Sequence, residues 1–292
     1  MRIRTILFQL WSLTFLLILG TLPLVVFSGK DKVIFQIERI PKEIIPFLEG
    51  LFDGSSYYYL DGERELNFFH IVGGYFLSSL IYLLIAGVFV IVLSIIFGIW
   101  FRRRSEKGLH PIIGFIGLIP DFVLVFLLQL LVIYIYETTG WKTVRVASSN
   151  MDEPAIVLPL ITLFILPFVY LVRSLRDKSS DVLTEDYIRT ALSKGFRKRY
   201  IYLYHVTPNV IPFLKADLHK VVSIMIGNLF IIEYLYNYKG LTSMLFPMRF
   251  EYQYNLFILC FLSFFILYIT VYFTMKLIVI LIERTLKHAH SL

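Results

Sequence analysis

Six long apolar runs alternate with polar segments along the chain: Ile6 to Phe27, Ile71 to Phe101, Pro111 to Tyr136, Pro154 to Val172, Val221 to Tyr236 and Asn255 to Ile282. A helix crossing a bilayer needs roughly 20 mostly apolar residues, and in lipid a backbone that satisfies its own hydrogen bonds must be helical. The pattern therefore predicts six transmembrane helices, of which the fifth is the shortest. The first run exceeds the apolar core of a typical signal peptide and is followed by no clear small-residue cleavage site, so it is read as a retained helix.

Composition agrees with the pattern, because 58% hydrophobic and 17% aromatic residues with a mean hydropathy of +0.74 do not describe a water-soluble domain. Eighteen of the 28 Lys and Arg fall on one set of alternating segments: Arg2 and Arg4, the run Arg102 to Lys107, ten residues from Arg173 to Lys220, and Arg284 with Lys287. Nine fall on the other set, so the positive-inside bias predicts cytoplasmic termini and a cytoplasmic segment 173–220. The net charge of +7 follows from this bias and calls for no nucleic acid. Cys260, the single cysteine, lies within the last run and excludes an internal disulfide or zinc cluster.

One polar, basic stretch stands out between the fourth and fifth runs, EDYIRTALSKGFRKRYIYLYHVTPNVIP from Glu185 to Pro212. It reads as a short helix, with Thr184 as N-cap, Glu185 and Asp186 at the positive end of the dipole, and Lys194 then Gly195 at its stop. Ile188, Ala191 and Leu192 recur at spacings of three and four and so share a stripe suited to a shallow groove on a partner. On pattern alone, an amphipathic loop helix lying on lipid headgroups fits equally.

The same stretch resembles the coupling-loop signature of ATP-binding cassette importer permeases, in the peptide and nickel branch. Asp186, Tyr187, Ile188, Arg189, Thr190, Ala191, Lys194, Gly195, His205, Asn209 and Pro212 carry the match. Arg173 and Arg176 are similar to an R-x-x-R pair that the family places at the membrane exit, and Gly227, Glu233, Gly240 and Leu241 to its G-x5-E-x6-G-L stretch. The resemblance implies an all-α integral membrane protein with six transmembrane helices and the type I importer permease fold, in one domain over 1–292. It implies a second homologous permease subunit, two ATP-binding cassette ATPases carrying ATP and Mg, and an extracellular or periplasmic substrate-binding protein, in a bacterial or archaeal cell membrane. Asp186, Tyr187, Ile188, Arg189, Ala191, Leu192 and Gly195 would then couple to the ATPases. The chain departs from the family at Lys239–Thr242, where P-G-L-G is usual, and in its ERTLKHAHSL tail.

The sequence contains no G-x-x-x-x-G-K-[ST] loop, zinc-protease H-E-x-x-H or G-x-S-x-G elbow, so a non-catalytic subunit without its own cofactor or metal is expected. The six histidines, His70, His110, His205, His219, His288 and His290, fall in or near predicted loops. Two acids fall within apolar runs and are candidates for a substrate path or gate: Asp121, in the middle of the third, and Glu233, near the outer end of the fifth. An acid such as Asp121 could line the path or pair with a partner's cation. The outer segment from Ser28 to Phe69 should lie partly on the membrane surface as an amphipathic helix, either capping the spans or meeting a binding protein. Two other readings remain open at this point: a gradient-driven carrier or channel, and a membrane sensor or scaffold that keeps the fold without transport. The missing inverted repeat weighs against the carrier.

Overall fold

The computed structural model describes residues 2–28, 33–100, 114–142, 144–148, 154–245 and 252–288. The basic run Arg102 to Lys107 lies outside the described residues. Among the described residues the main helices follow in the order α1 (Arg2–Val25), α2 (Arg39–Asp53), α3 (Phe68–Ile95), α4 (Asp121–Thr139), α5 (Val157–Leu183), α6 (Asp186–Ser193), α7 (Thr207–Leu235) and α8 (Tyr254–His288). Five helical stretches among the described residues are long and apolar enough to cross a membrane: Phe68–Trp100, Asp121–Thr139, Val157–Leu183, Lys198–Leu235 and Tyr254–Leu286. Within α1, Trp11–Val25 forms a shorter apolar helix.

Two compact units make up the chain, Met1–Leu77 with Gly240–Ile266, and Ser78–Lys239 with Leu267–Leu292. In the first, the segment read as an outer loop folds into two hairpins around an amphipathic helix. Strand β1 (Val26–Ser28) pairs antiparallel with β2 (Val33–Phe35), and β3 (Tyr58–Asp61) with β4 (Arg64–Asn67), in the register Asp61↔Arg64. Between the hairpins, α2 buries Phe47, whose ring meets Tyr254 edge-on at 5.4 Å. The Gln253 side chain accepts from Leu60 N (2.7 Å) and donates to Leu60 O (2.8 Å), while Tyr254 donates to Leu17 O at 3.1 Å. These hairpins are an addition to the predicted all-helical plan; VIF and YYYLD are β-prone but too short to stand out beside the spans.

The second unit is built on α5 against α7. Helix α7 buries Val210, Leu214, Leu218, Val221, Met225, Leu229 and Ile232, a stripe at spacings of three and four that packs a full-length face. From α5, Leu163, Leu171, Val172 and Leu175 are buried. A π turn, Ile96–Trp100, ends α3, and a Cβ on its Gly98 would stand 3.0 Å from the Leu175 Cβ, so glycine lets the two backbones approach. A second π turn, Tyr202–Val206, leads into α7 from the helical turn Lys198–Ile201. The Trp100 indole donates to Thr207 Oγ1 (3.0 Å), which donates to Tyr202 O (2.7 Å), joining the two irregular turns.

Predicted boundaries move at the fourth and fifth spans. The fourth span continues from Val172 to Leu183, and the fifth begins in a helix that starts at Lys198 instead of Val221. Hydropathy stops where polar residues begin, whereas a helix continues as long as its polar side chains find partners. Here Lys215 pairs with Glu283, Asp217 accepts from Tyr170 and Ser174, and His219 Nδ1 meets Tyr268 Oη at 2.9 Å. His205 and His219 accordingly lie inside helices, not in loops, while His110 and His290 lie outside the described residues.

Candidate functional site

The stretch singled out by sequence forms α6, eight residues between two membrane-length helices. Its end is a Schellman motif: Gly195 N bonds Leu192 O (3.0 Å), and Phe196 N bonds Ala191 O (3.3 Å). Gly195 sits at φ +79°, in the left-handed region where a side chain is strained, as its predicted role requires. Its start differs from the expectation. Thr184 does not cap α6, because α5 runs on to Leu183 and the Thr184 hydroxyl donates to Asp181 O (2.7 Å), closing that helix instead. Glu185 takes the N-cap position in extended conformation without a side-chain cap bond.

The predicted stripe also divides. Ile188 (1% exposed) and Ala191 (5%) are buried against the chain itself, whereas Leu192 (49%) and Tyr187 (44%) are exposed. With 100° per residue, Tyr187 and Leu192 flank the buried strip on opposite sides. Helical spacing identifies residues that share a face but not what covers that face; here the chain covers Ile188 and Ala191 and leaves the flanking Tyr187 and Leu192 exposed. Burial and the neighbouring Glu185 push the Tyr187 hydroxyl up from its ordinary range, so it remains a hydrogen-bond donor at neutral pH. Asp186 and Arg189 form an exposed pair at 3.4 Å, which contributes little to stability.

Beyond Gly195, Phe196 stacks on Tyr200 (5.0 Å) and Tyr200 lies 4.7 Å from Tyr204, so the aromatics continue from α6 to the π turn. His205 Nε2 is buried there without a hydrogen-bond partner among the described residues, and Asn209 donates to His205 O at 2.7 Å.

The two acids occupy different settings. Asp121 is not in the middle of a span: Pro120 is the N-cap of α4 and Asp121 its first residue, half-buried, at the end where the helix dipole favours an anion. The segment from Gly117 to Pro120 interrupts the third apolar run, a break that hydropathy averages away; residues 111–113 lie outside the described residues. Glu233, 2% exposed and close to the end of α7, accepts a short hydrogen bond from Ser79 of α3 (2.5 Å).

Around that end of α7 lies a set of ties the sequence did not reveal. Ser148 N donates to Tyr236 O (2.9 Å), Ser148 O accepts from Asn237 Nδ2 (3.0 Å), and Ser148 Oγ accepts from Ala155 N (2.9 Å). The Tyr82 hydroxyl donates to Ala155 O (2.9 Å), with its ring 4.4 Å from that of Tyr238. Ser79 and Tyr82, three residues apart on one face of an apolar helix, were the available signal. Asp121 opens α4, whereas Glu233 is bonded to Ser79 near the end of α7.

Residues 90–288, containing α6 with its flanking membrane-length helices, match the family described as binding-protein-dependent transport system inner membrane component. The chain belongs to that family. Its fold is that of the type I ATP-binding cassette importer permeases, and α6 lies within the matched region. Similar proteins include oligopeptide transport system permease protein AppB of Bacillus subtilis, 25% identical over 186 residues, which are 61% of this chain and 58% of that protein. A putative peptide transport system permease protein of Brucella abortus is 26% identical over 168 residues, 56% and 54% of the two chains. Glutathione transport system permease protein GsiC of Escherichia coli is 28% identical over 162 residues, 55% and 50%. The chain thus spans about half the length of these curated relatives. Binding-protein-dependent permeases are multi-pass membrane proteins, in keeping with the five membrane-length helices described.

Proposed function

We propose that this permease is one of two homologous subunits enclosing the path of an ATP-driven peptide importer, with α6 seated in a groove of a cytoplasmic ATPase. The observation that carries this reading is α6: a short polar helix closed by a Schellman motif, anchored inward by Ile188 and Ala191, and presenting Tyr187 and Leu192 outward. Names of the similar proteins support peptides as the substrate class. In this reading both termini are cytoplasmic, an external binding protein delivers the substrate, and ATP with Mg is held by the partner ATPases. Nucleotide state biases the permease only through contacts that differ between its two conformations, so an exposed anchor on a rigid helix is the needed element. Asp186, Arg189 and Gly195 position that helix, and the Ser79–Glu233 bond between α3 and α7 belongs to the outer gate. In this reading Asp121, at the start of α4, faces the substrate path.

The test is purification from the native membrane followed by ATP hydrolysis in the complex. P-loop ATPases should accompany the chain, and Leu192→Asp should leave insertion intact while removing substrate-stimulated hydrolysis. A chain that purifies alone and transports alone, or a Leu192→Asp complex with normal stimulation, overturns the assignment.

A further inference from the structure

Helix α5 carries a polar face at and just beyond the end of its apolar run: Tyr170, Arg173, Ser174 and Asp177, at spacings of three and four. With Gly117 and Ile224 these residues line a cavity of about 510 Å³, within the range of small-molecule sites. The wall is amphoteric. Arg173 Nη2 donates to Gly114 O (3.3 Å), and the Asp177 side chain is 70% exposed, 3.6 Å from Arg176. Behind the wall, Asp217 of α7 accepts hydrogen bonds from Tyr170 Oη (3.2 Å) and Ser174 Oγ, and the Lys220 ammonium stands 5.6 Å from the centroid of the Tyr170 ring. These bonds fix the two hydroxyl-bearing side chains of the face.

Arg173 and Asp177 are four residues apart, about 6 Å along the helix axis. Two residues of extended chain span about 7 Å, so a free dipeptide can set its carboxylate near one and its ammonium near the other. Guanidinium binds carboxylate through a planar fork, which adds direction to charge. We propose that this cavity is a substrate subsite that holds the two charged termini of a short peptide, the carboxylate on Arg173 and the ammonium on Asp177. The proposal rests on the peptide-importer reading and adds the place and chemistry of the contact.

The experiment uses the whole complex in proteoliposomes, with radiolabelled dialanine and its C-terminal amide as probes. A photoreactive benzoylphenylalanine at position 224 should cross-link to dialanine during turnover. Gly117→Leu should abolish that cross-link, since a Cβ there already stands 3.1 Å from Arg173 Nη2 and a larger side chain enters the cavity. Arg173→Gln should lower dialanine uptake at least about tenfold while changing uptake of the amide far less, a selectivity change that mere misfolding does not produce. Asp177→Asn should reduce uptake of dialanine more than that of its N-acetyl form. Uptake by the unaltered complex with no cross-link at position 224, or equal losses of dialanine and amide in Arg173→Gln, overturns the subsite and leaves the importer reading standing. No uptake of any peptide by the unaltered complex overturns both.

Discussion

Gly195 allows backbone geometry to be separated from side-chain volume at the end of α6, the helix proposed to couple to an ATPase. It has φ +79°, and a Cβ built there has no neighbour within 4 Å, so a replacement is penalised for its backbone conformation and not for its size. Asn tolerates the left-handed region, and Gly195→Asn should cost only a few tenths of a kcal/mol. Gly195→Ala should cost about 1 kcal/mol, which shifts the ordered helix end by about fivefold. Gly195→Pro forbids the conformation and removes the N–H bonded to Leu192 O, at about 2–4 kcal/mol together. Substrate-stimulated ATP hydrolysis, normalised to complex yield and basal hydrolysis, should fall in the order Gly, Asn, Ala, Pro. A ranking by side-chain volume, with Asn worse than Ala, would refute the backbone argument, and four equal activities would refute a coupling role for the end of α6.

The orientation can be checked by cysteine labelling at exposed positions. Substitutions at Glu63 and Trp141 should react from outside intact cells and one at Lys194 only after permeabilisation, with little background from the buried Cys260 thiol; reversed labelling would invalidate the charge-bias argument. Asp121→Asn removes an anion from the first turn of α4 and should cost no more than about 1 kcal/mol, so complex yield measured by size exclusion should be nearly unchanged. A collapse in yield would instead indicate a buried partner cation.

Five of the six predicted spans were legible because an apolar run long enough to cross a bilayer has few alternative explanations. Their ends were not, because Arg173, Lys215, Asp217 and His219 look like loop residues until their partners on other segments are known. At α6 the stop was readable at Gly195, whose chemistry is local. The start was not, since Thr184 suits either end of a helix and the true length of α5 decides which it serves. The stripe Ile188, Ala191 and Leu192 was readable as a face, but burial by the chain's own neighbours is a tertiary fact. Asp121 was misplaced for a related reason: averaging hydropathy over a window hides the four-residue break, Gly117 to Pro120, just before it.

The amide of Gln253 has a further effect on the first unit. By meeting both the N–H and the C=O of Leu60, it does for the outer edge of β3 what another strand would do. A bare edge of that kind is a template for added strands, whether from a docking peptide or from a second misfolded copy. Here the template is already taken at its central residue, so any protein that recognises this hairpin must do so through side chains such as Tyr58 and Leu60, and an exposed hairpin is kept from seeding aggregation.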